Sequence, residues 1–522
     1  MLTRPEEAVP GHRDRHRRLA LAVVCLAALI INVDNTILNV ALPTLVRDLH
    51  ATSSQLQWIV DAYAMVFAGL LLVGGTLADR YGRQRFFLIG LTVFALGSIG
   101  AALSGSVAML TAFRALMGAG AALTIPASLA IINDIFRDPG ERARAIGVWA
   151  GTIGLGIAIG PIAGGLLLSR FWWGSIFFVN VPIACLGFLG AALVVPDSKN
   201  PHAQRPDPVG AALSIAGLGL LLWAIIEGPT RGWGSATVVA AGLASLAVLG
   251  GFVAWESHCT HPMLELGFFR DRRFSVALAA ECLAVFGLMG ALFLSTQFLQ
   301  FDLGYSPLQA GLRILPIAVM VVTGAAVSPV AARLVGGKLT VATGLLSIAA
   351  GLWQVSASLR FDTTYGDTVL GLVLIGLGAG LMLPTATNSV IGSVPQGDSG
   401  MGSATNTVAL QVGGALGVAV IGSVMLTRYQ SHLAVALVGR HVPPPVARTI
   451  LGSLGAALAV AARVGGSTGA ELARAARTAF MSGSQVAFAV GAVVALAATV
   501  LVLVALPSQA ALETPSSDEA SQ

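Results

Sequence analysis

Fourteen stretches of about twenty mostly apolar residues recur along this chain, and that recurrence leaves few folds open to it. A helix that crosses a bilayer needs ~20 such residues, because the hydrocarbon core is about 30 Å thick and each residue rises about 1.5 Å. Scanning at that length places spans near 19–42, 56–77, 86–104, 107–132, 144–168, 174–195, 208–227, 236–255, 274–300, 307–330, 338–358, 369–393, 404–426 and 485–506. Only 11% of residues are charged, against ~25% in soluble domains, so the polar surface of a water-soluble enzyme is missing. Glycine accounts for 62 of 522 residues with no G-X-Y period, well above the usual ~7%. Small residues of this kind let apolar helices approach closely. The expected fold class is an all-α integral membrane protein with fourteen transmembrane helices. The first span is too long for a cleavable signal peptide, and no A-x-A-like site follows it.

Basic residues in the short loops set the direction. With the N-terminus in the cytoplasm, eighteen Arg and Lys fall inside, among them Arg18, Arg80, Arg83, Arg85, Arg144, Arg273 and Lys338. The outer side holds Arg47, Arg170, Arg231 and Arg360, with Arg313 just inside the tenth span. Both termini are therefore expected inside, in the plasma (cell inner) membrane. Residues 1–18 form a cytoplasmic N-terminal tail, and 507–522 a disordered cytoplasmic tail. Residues 427–484 form a long external loop. There Ile450, Leu451, Leu454, Leu458 and Ala461 recur at helical spacing, which suits either a short amphipathic helix or a mobile loop. The four cysteines lie far apart without ligand spacing, so no metal, disulfide or cofactor is implied. Arginines are not grouped with aromatics, which leaves nucleic-acid binding without support.

An ionisable group at the bilayer centre costs ~2.5–3.5 kcal/mol on insertion scales, so each one needs a reason. Asp34 lies two-thirds along the first span. Beside it Asn32, Asn35, Thr36 and Asn39 form a polar stripe at i, i+3, i+4 and i+7. Asp34 sits ~100° from Asn35 on the helix. Such a face lines a water-accessible pathway or packs on other helices. Arg114, mid-way along the fourth span, is the deepest positive charge and needs an anionic partner, for which Asp34 is the obvious candidate. Asp61 follows Gln57 by four residues near the outer end of the second span, as an interfacial group or a second protonation site. Glu281, two turns into the ninth span, faces a cavity or snorkels to the inner surface. Glu227 is expected at the interface, and Arg313 at an outer depth like that of Asp61. A carboxylate with two competing partners, a proton and a cation, is what an antiporter requires.

Four motifs add to this. Gly75-Thr76-Leu77-Ala78-Asp79-Arg80-Tyr81-Gly82-Arg83-Gln84-Arg85 fills the loop after the second span, where Gly82 permits a tight turn and Asp79 is an acid among arginines. Leu110 to Ala122, around Arg114, Gly118 and Gly120, occupies the fourth span. Gly156, Gly160, Pro161, Gly164 and Gly165 form a small-residue stripe with an internal proline in the fifth. Asp34-Asn35-Thr36-Ile37-Leu38-Asn39-Val40-Ala41-Leu42-Pro43 lies in the first. Asn180-Val181-Pro182, Gly228-Pro229-Thr230-Arg231-Gly232-Trp233 and Gly413-Gly414-Ala415-Leu416-Gly417 are weaker echoes. Together these segments resemble the major facilitator superfamily, and more narrowly its fourteen-helix drug:proton antiporters, the EmrB/QacA subfamily. Two places depart from that pattern. The second-half counterpart of the Asp79 loop reads Ala332-Arg333-Leu334-Val335-Gly336-Gly337-Lys338, with Ala332 where an acid is expected. Trp172-Trp173-Gly174 also stands where relatives often carry an Arg–Trp pair.

The resemblance implies two six-helix bundles of the major facilitator fold, 19–195 and 274–506, with an inserted pair of central helices at 208–255. Substrate would sit between the bundles, with access alternating by rocking. It further implies that Asp34, and in second place Asp61, carry the coupling proton, with Asn35, Asn39 and Glu281 as companions and Arg114 tuning Asp34. The loop of Asp79, Arg80, Gly82 and Arg83 would lock the inner gate, with Asp79 against the start of the thirteenth span near Ser403. The expected activity is proton-coupled efflux of small amphiphilic drugs or antibiotics by a monomer in the bilayer. The two aspartates favour cationic or zwitterionic substrates, and neutral ones stay open. An exporter of an endogenous metabolite, siderophore or lipid is the alternative. ATP-driven transport is set aside, because Gly336-Gly337-Lys338 lacks the spacing and hydroxyl of a phosphate-binding loop.

Overall fold

The computed structural model describes residues 10–200, 205–360, 362–395, 399–438 and 442–507. The first nine residues and the last fifteen of the expected tails lie outside them. Every regular element among the described residues is helical, and fourteen helical spans are long and apolar enough to cross a membrane. Helix is what lipid permits, since it satisfies every backbone donor and acceptor within one segment.

The first half contains α1 (Pro10–Asp48), α2 (Ser53–Tyr81), α3 (Arg83–Ala102), α4 (Val107–Ile135), α5 (Pro139–Arg170), α6 (Ser175–Phe178) and α7 (Asn180–Val194). The sixth span is α6 and α7 in series. Next come α8 (Pro208–Arg231) and α9 (Ala236–His258). The second half contains α10 (Arg272–Gln297), α11 (Pro307–Val335), α12 (Gly337–Ser358), α13 (Tyr365–Gly392), α14 (Ser399–Leu437), α15 (Pro444–Gly452), α16 (Leu454–Val464) and α17 (Gly466–Ala505). A π-helical turn, Phe298–Asp302, prolongs α10. Short polar side chains start several helices: Thr52 and Ser306 form capping boxes with Gln55 and Gln309, and Asp138 caps α5.

Helices outrun the apolar windows in three places. α1 begins at Pro10, so residues 10–18 are helical, and α14 continues to Leu437 while α17 starts at Gly466. Hydropathy marks only the lipid-depth part of a helix and is blind to its polar extensions. Much of 427–484 is consequently helical. Ile450, Leu454, Ala457 and Ala461 are buried there, the inward face of a helical pair, and the Tyr429 hydroxyl donates to the Ile450 carbonyl.

Packing within the halves is parallel in plan. α1 lies on α5, α2 and α3 on α4; α10 lies on α14, α11 and α12 on α13. The halves meet through α2 against α14 and α5 against α11, with α8 touching both α2 and α14 and α9 packed on α8. The inter-half hydrogen bonds among the described residues all fall toward the end that carries the α1–α2 turn. Gln57 donates to the carbonyls of Val418 and Ala419 at 3.4 and 3.3 Å, and Gln300 donates to that of Val40 at 2.8 Å. At the same end the Arg47 guanidinium lies over the Phe301 ring. Toward the α2–α3 end the halves part: a Cβ on Gly147 or Gly151 of α5 would meet nothing within 4 Å.

Candidate functional site

Three carboxylates inside the spans are fully enclosed, and their surroundings differ. The Asp34 side chain points from α1 toward α4 and α7. Its Oδ2 accepts from Arg114 Nη1 at 2.5 Å and its Oδ1 from Asn180 Nδ2 at 2.8 Å. Arg114 is 0% exposed. Its Nε donates to the Ile59 carbonyl at 3.2 Å, and its guanidinium stands 4.5 Å from the Tyr63 ring centroid and 5.9 Å from that of Phe177. One arginine of α4 thus ties together α1, α2 and α6, and Asp34 adds α7 through Asn180. An ion pair away from water survives only with such further hydrogen bonding. The pairing of Asp34 with Arg114 was readable from the sequence, but Asn180 was not. Its signal was the Asn180-Val181-Pro182 echo at the start of α7.

Asp61 has no such company. It is 0% exposed, and both of its carboxylate oxygens are buried without a hydrogen-bond partner. Gln57, one turn earlier, faces α14, so Asp61 lies on the side of α2 that turns toward the second half. Its carboxylate is thus enclosed by protein rather than set at an exposed surface. Glu281 on α10 is likewise 0% exposed, which rules out snorkelling. Its Oε1 accepts from the Thr387 hydroxyl of α13, Asn406 of α14 stands alongside, and Oε2 has no partner. Thr387 and Asn406 went unnoticed in the sequence, where each sits in a short polar cluster, Thr385 to Ser389 and Ser403 to Thr407, that does not say which member faces a carboxylate.

The polar stripe on α1 has two uses. Thr36 donates to the Gly156 carbonyl at 3.0 Å, and Asn32 abuts the same glycine, so this part packs on α5. Thr36 and Asn39 also line a narrow crevice between the halves with Val40, Ile157, Pro161, Leu292, Ile314, Ile317 and Ala318. Asn35, half-buried, lies one turn before Asn39 on the same face. Asp34 is not among the crevice walls. Of the two uses open to this face, lining a pathway or packing on helices, Asp34 has the second: the ~100° that separates it from Asn35 turns it toward Arg114 and Asn180 of the first half.

The α5 glycines fit tight contacts. A Cβ at Gly160 would collide with Thr36 and one at Gly164 with Ile37, both on α1. One at Gly165 would run into Leu308 of α11, and Gly311 of α11 lies against the Pro161 carbonyl. The stripe therefore serves two seams, one within the first half and one between halves.

In the loop after α2, Gly82 has φ +123°, a conformation that suits glycine. Asp79 accepts from Arg83 Nε at 2.7 Å, Arg83 Nη1 reaches Asp134 of α4 at 3.9 Å, and Arg80 lies over the Tyr81 ring. The Arg83 amide donates to the Ser198 carbonyl. Among the described residues Asp79 makes no contact near Ser403: with the halves parted at this end, its carboxylate is taken up inside its own half. Elsewhere, Glu227 accepts from Arg231 at 3.1 Å, and Arg313 lies 3.7 Å from the Tyr305 ring centroid.

Comparison with known proteins agrees with this architecture. A family model described as Major Facilitator Superfamily matches residues 24–418. The chain is 36% identical over 447 residues to the Multidrug efflux pump LfrA of Mycolicibacterium smegmatis, covering 85% of this chain and 87% of that one. It is 34% identical over 450 residues to the Tetracenomycin C resistance and export protein of Streptomyces glaucescens, covering 85% and 82%. In fold it resembles the crystal structure of a bacterial homologue of the human lysosomal transporter Spinster in an inward-facing, unoccupied conformation. That likeness has a TM-score of 0.63 at 15% identity and covers 94% of this chain and 98% of the other.

Proposed function

The chain belongs to the major facilitator superfamily, and we propose that it is a proton-coupled antiporter that exports amphiphilic drugs or antibiotics across the plasma membrane by alternating access. The protein is a multi-pass membrane transporter rather than an enzyme. The direction and breadth of transport are carried over from relatives named for multidrug efflux and for tetracenomycin C resistance and export. Both termini are placed in the cytoplasm on loop charge. The halves, joined at the α1–α2 end, are then open toward the cytoplasm.

The observation that carries proton coupling is the contrast among enclosed carboxylates. Asp34 is held by a cation, whereas Asp61, on the side of α2 that turns toward the second half, and Glu281, inside the second half, keep oxygens with no donor. A group in that condition can take a proton in one shape of the transporter and release it in the other. In this reading Asp61 exchanges the proton, Asp34 and Arg114 hold the first half in register, and Asn35 and Asn39 meet the substrate. One charge crossing 100 mV is worth ~2.3 kcal/mol, and each tenfold gradient costs ~1.4 kcal/mol. A single proton at that potential therefore sustains about a forty- to fifty-fold gradient of a neutral substrate.

Everted vesicles test this directly. Uptake of a fluorescent amphiphile should need a proton gradient, collapse with a protonophore and fail in Asp61→Asn. Gradient-driven accumulation by Asp61→Asn equal to that of the wild type would remove Asp61 from the coupling step, and accumulation indifferent to the protonophore would end the antiport reading altogether. Export of a self-made metabolite is the second reading, favoured by the resemblance to a resistance and export protein for a single compound.

A further inference from the structure

The two halves treat corresponding crevices differently at the α2–α3 end. In the first half, the space around the α2–α3 turn holds carboxylates: Asp79 and Asp134 bracket Arg83, and Asp197 stands against Gly82. In the second half the corresponding turn, from α11 to α12, pivots on Gly336 with φ +85°. Beside it opens a cavity of about 170 Å³ among α10, α11, α12 and α13. Its walls include Arg273, Ala332, Gly337, Asn388 and Ser389, with no acid among them. Ala332 is the position where the sequence pattern leads one to expect a carboxylate. Arg273 is half-buried, and among the described residues its guanidinium has no ion-pair or hydrogen-bond partner.

We propose that this cavity binds a phosphate-class oxyanion, which supplies from outside the chain the negative charge that the second half lacks. A guanidinium offers five N–H donors in a planar fork that matches a phosphate, and Asn388 adds an amide donor. The volume, about six waters' worth at ~30 Å³ each, accommodates a phosphoryl group. Ser328, Thr385 and Ser389 bond one another and nearby carbonyls, which leaves the donor role to Arg273 and Asn388. Arg273 is the second residue of α10 and Gly337 the first of α12, so the cavity lies at the ends of the spans, at head-group depth. Basic pockets between helices at that depth suit anionic lipid head groups, and a soluble phosphate has the same chemistry.

Native mass spectrometry of the purified full chain separates the two sources, with phosphatidylglycerol, phosphatidylcholine of the same acyl chains and inorganic phosphate as probes. The wild type should retain one phosphatidylglycerol in preference to phosphatidylcholine. Retention should fall about tenfold in Arg273→Gln, and equally in Ala332→Asp, which sets a carboxylate beside the arginine. Asn388→Ala should lose about threefold. Binding of inorganic phosphate alone would assign the site to a soluble oxyanion, whereas phosphatidylglycerol that millimolar phosphate cannot displace would assign it to the membrane. Thermal melts without added lipid restrict the comparison to folded variants. Failure of the wild type to retain any oxyanion, or retention unchanged in both Arg273→Gln and Ala332→Asp, overturns the proposal.

Discussion

The two halves share a packing plan and diverge in how they handle charge. α1 meets α5 through Gly156 and Gly160, and α10 meets α14 through Gly413 and Gly417, whose positions abut the backbone carbonyls of Cys282 and Phe286. Charge does not follow suit. The first half neutralises Asp34 with Arg114 and its loop arginine with Asp79 and Asp134, and leaves only Asp61 without a partner. In the second half Glu281 has a hydroxyl and an amide for company and Arg273 faces an acid-free cavity. Close backbone approach is a geometric demand that a repeat must keep. Internal charge neutralisation is dispensable where a proton, a substrate or a lipid can supply the missing partner.

That contrast can be broken in order of expected effect. Arg114→Met leaves Asp34 enclosed without its cation and should cost ~3–5 kcal/mol, read as a fall in the melting temperature of purified protein. Adding Asp34→Asn to the same chain should recover most of the loss. A melt unmoved by Arg114→Met would mean that the pair contributes nothing net. Gly160→Val and Gly417→Val should each cost ~1–3 kcal/mol through overpacking, and by similar amounts. A large inequality between them would show that the halves do not share a packing plan. Glu281→Gln, which breaks no ion pair, should stay within about 1 kcal/mol of the wild type, an order of response opposite to that of Arg114→Met. Of similar size is Gln57→Leu, which removes one link between halves worth ~1 kcal/mol. About a fivefold rise in labelling of a cysteine placed at Val418 should follow, and unchanged labelling would mean that Gln57 does not hold that end shut.

Much of this was legible in the sequence, for identifiable reasons. Twenty apolar residues carry their own meaning, so the fourteen spans could be counted, and a lone arginine beside a lone aspartate at matching depth suggested its own partner. What escaped were facts of azimuth. Asn180 stands alone among apolar residues while Thr387 and Asn406 sit in short polar clusters, and in either setting only the neighbours that a helix faces reveal which carboxylate a side chain serves. The same ignorance of facing left open whether the flank of the α1 stripe that carries Asp34 lines a pathway or packs inward. The stretch from Thr427 to Ser484 was ambiguous because its helices are too short or too polar for a hydropathy window, although the spacing of Ile450, Leu454 and Ala461 held the clue.

The central helix α8 is fastened to both halves within one turn of its own length. The Ser54 hydroxyl of α2 bonds the Ile226 carbonyl at 3.2 Å, and the Ser423 hydroxyl of α14 bonds the neighbouring Ile225 carbonyl at 2.8 Å. Farther along, Ile215 and Gly219 of α8 meet α2, at Gly69 and Met65. This arrangement works like a pin through one corner of a folding frame. Relative tilting that spares the pin keeps Ser54 and Ser423 nearly fixed while the far edges of the frame swing, so displacement should grow with distance from Ile225, and α9, packed chiefly on the pinned helix, should ride along without bearing on the stroke.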